Sequence, residues 1–383
     1  MSNVLMTNRA GTVIPEIKLE TNLIESSPIY LGSSIWQESL VEKMSEISTD
    51  KFFIITDSNI QSIYGDYFCS VLKRHFAVEM ITIPVGEKNK TVSVLHQTIE
   101  TLLERNVTKS SVLIALGGGV LGNIAGLAAA LIFRGIRFFH VPTTFLSQTD
   151  SIVSRKQGIN SNSGKNMIGV YYTPLFSFVD TSFLRSEPER SIRGSLVETV
   201  KNGLIYNKDF FLEIKKSIED GLKFDEEGIF KLVEMSILSK LPIIKADPSE
   251  KSFAMILEYG HTVGHAIERI LTGEYSHGEC VSMGMVVAAR ISNKLGLLKK
   301  DEVESHILVL KSLGTPVKIP EKLSCKDIVR RIEYDNKKDL SGVRYVILET
   351  IGKCVADDAS SMINVDPAIV LEAIKESFQE VVL

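Results

Sequence analysis

The chain has 383 residues, of which 44% are hydrophobic and 23% charged, and its formal net charge is −4. This balance excludes a chain that is disordered throughout, and the intermixed charges argue against nucleic acid or a membrane surface as a partner. The four cysteines form no CxxC pair, no apolar run approaches about 18 residues, and the first residues lack an apolar signal core. We therefore expect a cytoplasmic enzyme of two domains, because the length exceeds that of one ordinary core.

The first half of the chain alternates short apolar runs with helical patterns. Strands are predicted at 51–56, 78–84, 111–116 and 137–144. Alternation at this pitch predicts a parallel sheet covered by helices, whose ligands bind at the carboxyl ends of the strands. We therefore predict an α/β, Rossmann-like cofactor-binding domain over residues 1–185, in which residues 1–17 form a tail.

The second half changes to helical patterns. Four segments carry a helical period and almost no alternating run. They are 195–205, 228–247, 255–271 and 280–296. The sequence therefore predicts an all-helical domain over residues 186–383, with a ligand cleft between the two domains.

The predicted strand at 111–116 ends in a glycine motif. Gly117, Gly119 and Gly122 form G-x-G-x-x-G between a strand and a helix. Such glycines let the backbone approach a pyrophosphate, whose charge the amino end of a helix favours. A tight turn between a strand and a helix could require glycine for packing alone. The context favours nucleotide binding.

The acidic residue that usually binds the ribose, about 20 residues after the glycines, is absent. Asp57, at the end of an earlier predicted strand, could take this role instead. Glu87 and Lys90, in the loop VGEKNK, are further candidates, although such loop charges are more often simply solvated. The predicted nucleotide site thus departs from the standard Rossmann arrangement.

Three of the seven histidines lie between residues 261 and 277. His261 and His265 share a helix face, and His277 lies on a predicted loop before the next helix. Upstream, Glu198 and Lys201 share a face of another predicted helix. No glutamate follows the first histidine directly, which excludes a protease-type HExxH motif. Two histidines and a carboxylate leave an open position, as in catalytic zinc sites, whereas a single histidine would more often be a core residue.

A basic stretch, SRKQGINSNSGKNMIG, follows Arg134. It carries Arg155, Lys156, Lys165 and Asn166 among serine, asparagine and glycine. Several cations with amide donors suit a phosphorylated ligand. A solvated basic loop is the simpler alternative.

Nine motifs in register resemble those of the dehydroquinate synthase family, the sugar phosphate cyclases, over residues 50–352. They are GEKNK, GGGVLGN, FRG, PTTFLSQTDS, SGKNMIG, LVETVKNGLI, GHTVGHAIE, HGE and DNKK. The resemblance implies a dehydroquinate synthase-like fold of two domains, bound NAD and one divalent metal ion, zinc or cobalt. It further implies a small phosphorylated sugar substrate that becomes a carbocycle, and a homodimer.

The resemblance also implies the residues of the site. The metal ligands are Glu198, His261 and His277. The groups near the substrate phosphate are Arg134, Lys156, Asn166, His265 and Lys337. The catalytic candidates are Lys156, Lys201 and His265, together with Glu258, which stands where the family has an asparagine. The cofactor-binding residues are Asp57, Glu87, Lys90, Gly118, Gly119, Val120, Leu121, Gly122, Asn123, Thr143, Thr144, Asp150 and Lys165.

Several positions depart from the dehydroquinate synthases proper, among them Ser154–Arg155, which replaces a glycine pair. Ala254 and Glu258 replace an arginine, which meets the substrate carboxylate, and an asparagine, and Asn123 replaces an aspartate. Burying an unpaired carboxylate beside a methyl group would cost roughly 3–5 kcal/mol. These positions resemble the 2-deoxy-scyllo-inosose synthases, which implies glucose 6-phosphate as substrate. The implied sequence is transient oxidation, phosphate β-elimination, re-reduction, ring opening and aldol closure; dehydroquinate and sedoheptulose 7-phosphate cyclases are the alternatives.

Glu258 has two interpretations: a base that accepts the proton at C5, or a partner that orients His261. Two other classes of protein also compete. A metal-dependent alcohol dehydrogenase of the glycerol dehydrogenase kind would share the fold and the glycine loop, but it needs no lysines for a phosphate. A catalytically silent relative acting as a binding protein is disfavoured by the intact set of predicted metal ligands.

Overall fold

The computed structural model describes residues 26–162, 164–333, 338–339, 342–355 and 361–379. The predicted tail at 1–17 and the predicted phosphate-side residue Lys337 lie outside the described residues.

The described first half contains eight strands. They are β1 Ile29–Gly32, β2 Phe52–Asp57, β3 Val78–Ile83, β4 Val112–Gly117, β5 Arg137–Pro142, β6 Lys156–Ile159, β7 Ile168–Tyr171 and β8 Ser177–Asp180. Six of them form a parallel sheet in the order β1-β8-β5-β4-β2-β3. The remaining two, β6 and β7, form an antiparallel hairpin. The predicted parallel sheet is confirmed, and the basic stretch forms this hairpin.

Helices cover both faces of the sheet. In the first half they are α1 Val41–Ser45, α2 Ser58–Ile60, α3 Asp66–Leu72, α4 Val92–Glu104, α5 Gly119–Leu131 and α6 Phe145–Thr149. Along β2, Phe52 and Ile54 join one apolar core, whereas Phe53 and Ile55 join the core on the opposite face. Both faces of the sheet are thus buried in apolar cores, as expected for a parallel sheet.

The second half is predominantly helical, whereas the sequence predicts an all-helical domain and no strands there. Its helices are α7 Glu189–Tyr206, α8 Lys208–Glu219, α9 Glu226–Ala246, α10 His261–Leu271, α11 His277–Lys294, α12 Lys300–Ser312, α13 Cys325–Ile332 and α14 Pro367–Glu376. Among the described residues of this half, five short strands accompany them: β9 Lys338–Asp339, β10 Gly342–Tyr345, β11 Leu348–Thr350, β12 Lys353–Cys354 and β13 Ile363–Asn364.

Shorter 3₁₀ or π turns connect several elements. They are Trp36–Leu40, Gln61–Gly65, Glu87–Asn89, Ile132–Arg134, Ser151–Val153, Thr181–Ser186 and Phe253–Glu258. The domain boundary that we predict at 185/186 falls at the end of one of these turns, just before α7. The two halves nevertheless share a core, since Phe145 and Val179 of the first half pack with residues of α7, α9 and α11.

The helix that the sequence predicts over 255–271 is two elements in the structure. Gly260 adopts φ 76°, a left-handed conformation, between the turn Phe253–Glu258 and α10. A Cβ at Gly260 would lie 2.8 Å from the backbone nitrogen of Met285 on α11. The break therefore lets α10 start at His261 while the chain passes close to α11.

Candidate active site

Three imidazoles and one carboxylate meet where α7, α10 and α11 pack together. Donor nitrogens of His261, His265 and His277 all lie within 4.8 Å of one another. Glu198 Oε1 lies 3.5 Å from His261 Nε2 and 3.7 Å from His277 Nε2. The structure thus brings the three predicted metal ligands together and places His265 beside them. His277 is the first residue of α11, capped by Ser276, and not the loop residue that the sequence analysis predicts.

The buried carboxylate of Glu198 is only half satisfied. Its Oε2 accepts a hydrogen bond from Lys201 Nζ. Its Oε1 has no hydrogen-bond partner among the described residues and faces the imidazoles. Burial raises the pKa of Glu198, but the charges of Lys201 and His277 outweigh it and the net pKa is lowered. An ionised buried oxygen without a donor fits a bound cation.

The positions of the protons on the histidine rings also fit a bound cation. His261 Nδ1 lies 3.1 Å from the carbonyl oxygen of Tyr259, which can only accept, so Nδ1 carries the proton and Nε2 presents a lone pair towards Glu198. His277 Nδ1 lies 3.2 Å from Glu268 Oε2. Burial lowers the pKa of His277, but the hydrogen bond and charge of Glu268 outweigh it, so the net pKa is raised. Two oriented imidazoles and one carboxylate form a donor set that suits zinc or cobalt.

Glu268 is a site residue that the sequence analysis missed. Its second carboxylate oxygen accepts a hydrogen bond of 2.6 Å from Lys165 Nζ. Burial raises the pKa of Glu268, but His277 and Lys165 outweigh it and lower the pKa. The signal was present, since residues 261, 265 and 268 have the i, i+4, i+7 spacing of one helix face.

The predicted cofactor residues gather at the carboxyl ends of β2, β4 and β5. Asp57 ends β2, where its carboxylate accepts from the N–H groups of Asn59 and Ile60 in α2. Gly118 caps α5, and the N–H of Thr143 donates to the carbonyl of Gly117 at 3.1 Å. Thr144 caps α6. The ends of neighbouring parallel strands thus form one edge, as the sequence predicts.

Packing also restricts the glycine loop. A Cβ at Gly119 would lie 2.8 Å from Ser151 Oγ, and one at Gly122 would lie 3.2 Å from the ring of His140. The close approach of backbone to neighbouring side chains thus adds a structural reason for these glycines. Leu121 is buried in the core and Val120 is half-buried. The side chain of Leu121 therefore belongs to the core, which leaves its backbone to meet a ligand.

Lys90 is buried among amide oxygens. Its Nζ donates to Asn123 Oδ1 at 2.9 Å and to Asn166 Oδ1 at 2.5 Å. Burial lowers the pKa of Lys90. Glu87 Oε1 nearby accepts from Asn160 Nδ2 at 2.8 Å. Asn166, predicted on the phosphate side, thus contacts a predicted cofactor residue.

The phosphate-side lysine pairs with a carboxylate of the second half. Lys156 Nζ, on a side chain that is 51% exposed, lies 2.6 Å from Glu250 Oε2. Glu250 is buried, adopts φ 50° and also accepts from Ser154 Oγ. No sequence signal pointed to Glu250, because the pairing joins distant segments. Arg134 is exposed after α5, and no hydrogen bond or ion pair joins it to the other predicted residues in the described ranges.

In another ion pair between the two halves, the second half supplies the cation and the first half the carboxylate. Lys240 Nζ of α9 donates to Asp150 Oδ1 at 2.9 Å and to the Asp150 carbonyl at 3.0 Å. Burial lowers the pKa of Lys240, but Asp150 and Glu250 outweigh it and the net pKa is raised. Lys240 was not predicted as a site residue, although a single lysine in the apolar run ILSKLPII was a usable signal.

Ala254 and Glu258 lie on the turn Phe253–Glu258. Ala254 is buried in the core of the second half, and its N–H donates to the carboxylate of Asp247 at 3.1 Å. Glu258 is half-buried, three residues before His261. Both interpretations of Glu258 therefore stay predictions. In the described part of the chain, no helix has the length and apolar character needed to cross a bilayer.

The fold and this site define a class: a parallel-sheet half with a glycine loop, facing a helical half with a histidine and carboxylate cluster. Comparison with known proteins shows the family. The 3-dehydroquinate synthase N-terminal family matches residues 80–194, and its C-terminal family matches residues 195–338. The chain belongs to the 3-dehydroquinate synthase family, which confirms the resemblance read from the nine motifs.

Relatives with two activities match most of the chain. A 2-deoxy-scyllo-inosose synthase of Micromonospora echinospora is 34% identical over 88% of this chain and 86% of its own. A 3-dehydroquinate synthase of Desulforamulus reducens is also 34% identical, over 86% of this chain and 92% of its own. A crystal structure of 2-deoxy-scyllo-inosose synthase with carbaglucose-6-phosphate, NAD⁺ and Co²⁺ is 31% identical, with a TM-score of 0.82, over 91% of this chain and 96% of that one.

Proposed function

We propose that the protein is an NAD- and metal-dependent sugar phosphate cyclase that converts glucose 6-phosphate to 2-deoxy-scyllo-inosose and phosphate. The observation that carries the proposal is the buried Glu198 Oε1, without a donor among the described residues, at 3.5 and 3.7 Å from two imidazoles. The solved relative with NAD⁺, Co²⁺ and a glucose 6-phosphate analogue supports it.

Glu198, His261 and His277 would hold the metal, and the edge formed by β2, β4 and β5 would hold the dinucleotide. When bound, the metal supplies Lewis acidity at a substrate hydroxyl, and the dinucleotide supplies a reversible hydride acceptor. Lys201 fixes the carboxylate of Glu198 from the side away from the imidazoles. Lys90 offers an ammonium group to a ribose or phosphate oxygen from a buried position.

Lys156 and Glu258 would act on the substrate itself. The half-exposed ammonium of Lys156 can turn from Glu250 towards a phosphate. Glu258 would take the proton from C5, so that a C5–C6 double bond forms, the bond from C6 to the phosphate oxygen breaks, and phosphate leaves. His265, one helical turn from His261, would bind near the departing phosphate.

The choice of substrate follows from Ala254. Its buried methyl group cannot pair with a substrate carboxylate, which disfavours the heptulosonate phosphate of the dehydroquinate synthases. The relative from Desulforamulus reducens keeps that reaction as the second candidate.

The test is to incubate the metal-loaded protein and NAD separately with glucose 6-phosphate, sedoheptulose 7-phosphate and the heptulosonate phosphate. Phosphate release from glucose 6-phosphate alone, without net NADH, is the expected result. Release from the heptulosonate alone would contradict the argument from Ala254. Net NADH without phosphate release would instead indicate an alcohol dehydrogenase, and the absence of metal binding would indicate a silent relative.

We also propose a cytoplasmic homodimer. The four cysteines are unpaired thiols, as in a reducing compartment. Strand β7 pairs only with β6 in the described sheets, and its Ile168, Val170 and Tyr171 are exposed. An open, apolar edge strand is a site for pairing with a second copy. The mass in solution, measured by light scattering, should be twice that of the chain, and Val170→Lys should lower it towards the monomer.

A further inference from the structure

Glu268 joins the predicted metal site to the first half of the molecule. Its side chain on α10 is only 14% exposed. One carboxylate oxygen lies 3.2 Å from His277 Nδ1, and the other accepts from Lys165 Nζ at 2.6 Å. Lys165 belongs to the segment between β6 and β7, in the opposite half. The function proposed above gives Glu268 no role.

The contact with His277 fixes an imidazole. A carboxylate that accepts from Nδ1 selects the tautomer with the proton on that nitrogen, which leaves Nε2 to bind a metal. Here Nε2 of His277 lies 3.7 Å from Glu198 Oε1, on the side where that oxygen has no donor among the residues described. Glu268 therefore determines where the lone pair of His277 points.

The contact with Lys165 continues into the predicted cofactor site. Residue 165 precedes Asn166, whose N–H donates to Asn160 Oδ1 at 2.9 Å and whose Oδ1 accepts from Lys90 Nζ. Lys90 in turn donates to Asn123 on α5, the helix that the glycine motif opens. Neighbouring contacts thus run from the glycine helix to a predicted metal ligand.

We propose that Glu268 is the positioning residue of His277, and that Lys165 couples its position to the dinucleotide site. Metal affinity and NAD affinity are then linked: each ligand strengthens the binding of the other by the same factor, because such coupling is reciprocal. This inference rests on the proposed metal site. It concerns metal binding in the absence of substrate.

The test is a titration of the metal-free enzyme with Co²⁺, followed by the visible absorption of the ion, with a competing chelator to obtain the dissociation constant. Glu268→Ala should weaken binding about 10–100-fold and change the Co²⁺ spectrum. Glu268→Gln, which keeps an acceptor for Nδ1, should lie between Glu268→Ala and the unchanged enzyme. Lys165→Met should weaken binding less, and adding it to Glu268→Gln should have no further effect.

The coupling has its own measurement. Saturating NAD, verified by calorimetry for each variant, should tighten Co²⁺ binding to the unchanged enzyme several-fold, and this gain should disappear in Glu268→Gln. Glu274→Gln is the matched control, because Glu274 lies three residues after α10 and pairs with the exposed Lys322. It should behave like the unchanged enzyme in both measurements.

Each outcome decides the inference. Equal Co²⁺ affinity and spectrum in Glu268→Ala and the unchanged enzyme overturn the positioning role while leaving the metal site standing. An undiminished NAD effect in Glu268→Gln overturns the coupling. An unchanged enzyme that binds no Co²⁺ overturns the proposed metal site and this inference with it. If Glu268→Ala does not fold, as judged by thermal unfolding, the isosteric Glu268→Gln decides alone.

Discussion

The two halves bring different chemical groups to the contacts between them. The first half contributes glycine backbone, amides and the lysines Lys156 and Lys165. The second half contributes imidazoles and the carboxylates Glu250 and Glu268, which pair with those lysines at 2.6 Å in both cases. Ion pairs therefore join the two halves next to the candidate metal cluster, whose own ligands all lie on the second half.

Removing the charge of Glu198 should have the largest effect, because this carboxylate lies where the predicted metal ligands of the second half come together. Glu198→Gln keeps the volume and an acceptor for Lys201 but loses the anionic ligand. Metal affinity should fall more than about 100-fold, beyond the 10–100-fold typical of losing a partner outside the ligand set. Metal titration and phosphate release measure this. Glu219→Gln, at the exposed end of α8, is the control; equal metal affinity in Glu198→Gln and the control would contradict the account.

The next prediction concerns a variant that slows the reaction and leaves metal binding unchanged. Glu258→Gln should lower the rate of phosphate release about 10²–10⁴-fold, the usual contribution of a positioned base, while Co²⁺ affinity stays unchanged. A variant that turns over normally would show that Glu258 is not the base. Weaker metal binding in the same variant would favour its role as an orienter of His261.

Each half also buries a histidine whose pKa burial lowers, His140 in the first half and His306 in the second, which predicts a dependence of stability on pH. Burial lowers the pKa of His140 to about 4 and that of His306 to about 3, from 6.5 when unfolded. Because these folded pKa values are depressed, the stabilisation is complete above about pH 6.5. It is lost as the pH falls from about 6.5 towards the folded pKa values of about 4 for His140 and about 3 for His306. His140 alone accounts for up to about 3 kcal/mol of that loss.

Denaturant unfolding at a series of pH values, for the unchanged protein and for His140→Asn, measures this contribution. The variant should lose less free energy of unfolding between neutral pH and about pH 4. Parallel curves for the two proteins would show that His140 does not titrate in this window.

The smallest predicted effect is the coupling energy of the ion pairs that join the two halves. A double-mutant cycle with Lys156→Met and Glu250→Gln should give a coupling energy below about 1 kcal/mol, because the Lys156 side chain is 51% exposed. The same cycle on Lys240 and Asp150 should give more, because the Lys240 side chain is only 7% exposed. Equal coupling energies in the two cycles would mean that burial does not govern these contacts.

The sequence predicted features that local pattern controls. Apolar runs with the glycine motif gave the central strands of the sheet, with β4 at Val112–Gly117 against a predicted 111–116. The hairpin of β6 and β7 was not predicted, because all four residues of β7 are exposed and show no alternating apolar pattern. The break at Gly260 depends on the close passage of α11, which no local pattern encodes.

The candidate site was predictable to a similar degree. Spacing alone placed His261 and His265 on one face, and the family motifs added Glu198 and His277, which the fold brings together. Glu250 was missed because its partner lies on the opposite half, and pairing over such a separation follows from the assembled fold, whereas Lys240 could have been found as the single lysine of an apolar run. Glu268 could have been found from its helix face.

The most direct test is a crystal structure of the enzyme grown with Zn²⁺ and NAD, with anomalous scattering recorded at the zinc edge. The account predicts one strong peak at about 2.0–2.2 Å from a Glu198 oxygen and from one nitrogen each of His261 and His277, with the dinucleotide at the glycine loop. A peak bound by His265 in place of Glu198, or zinc outside this cluster, would contradict it.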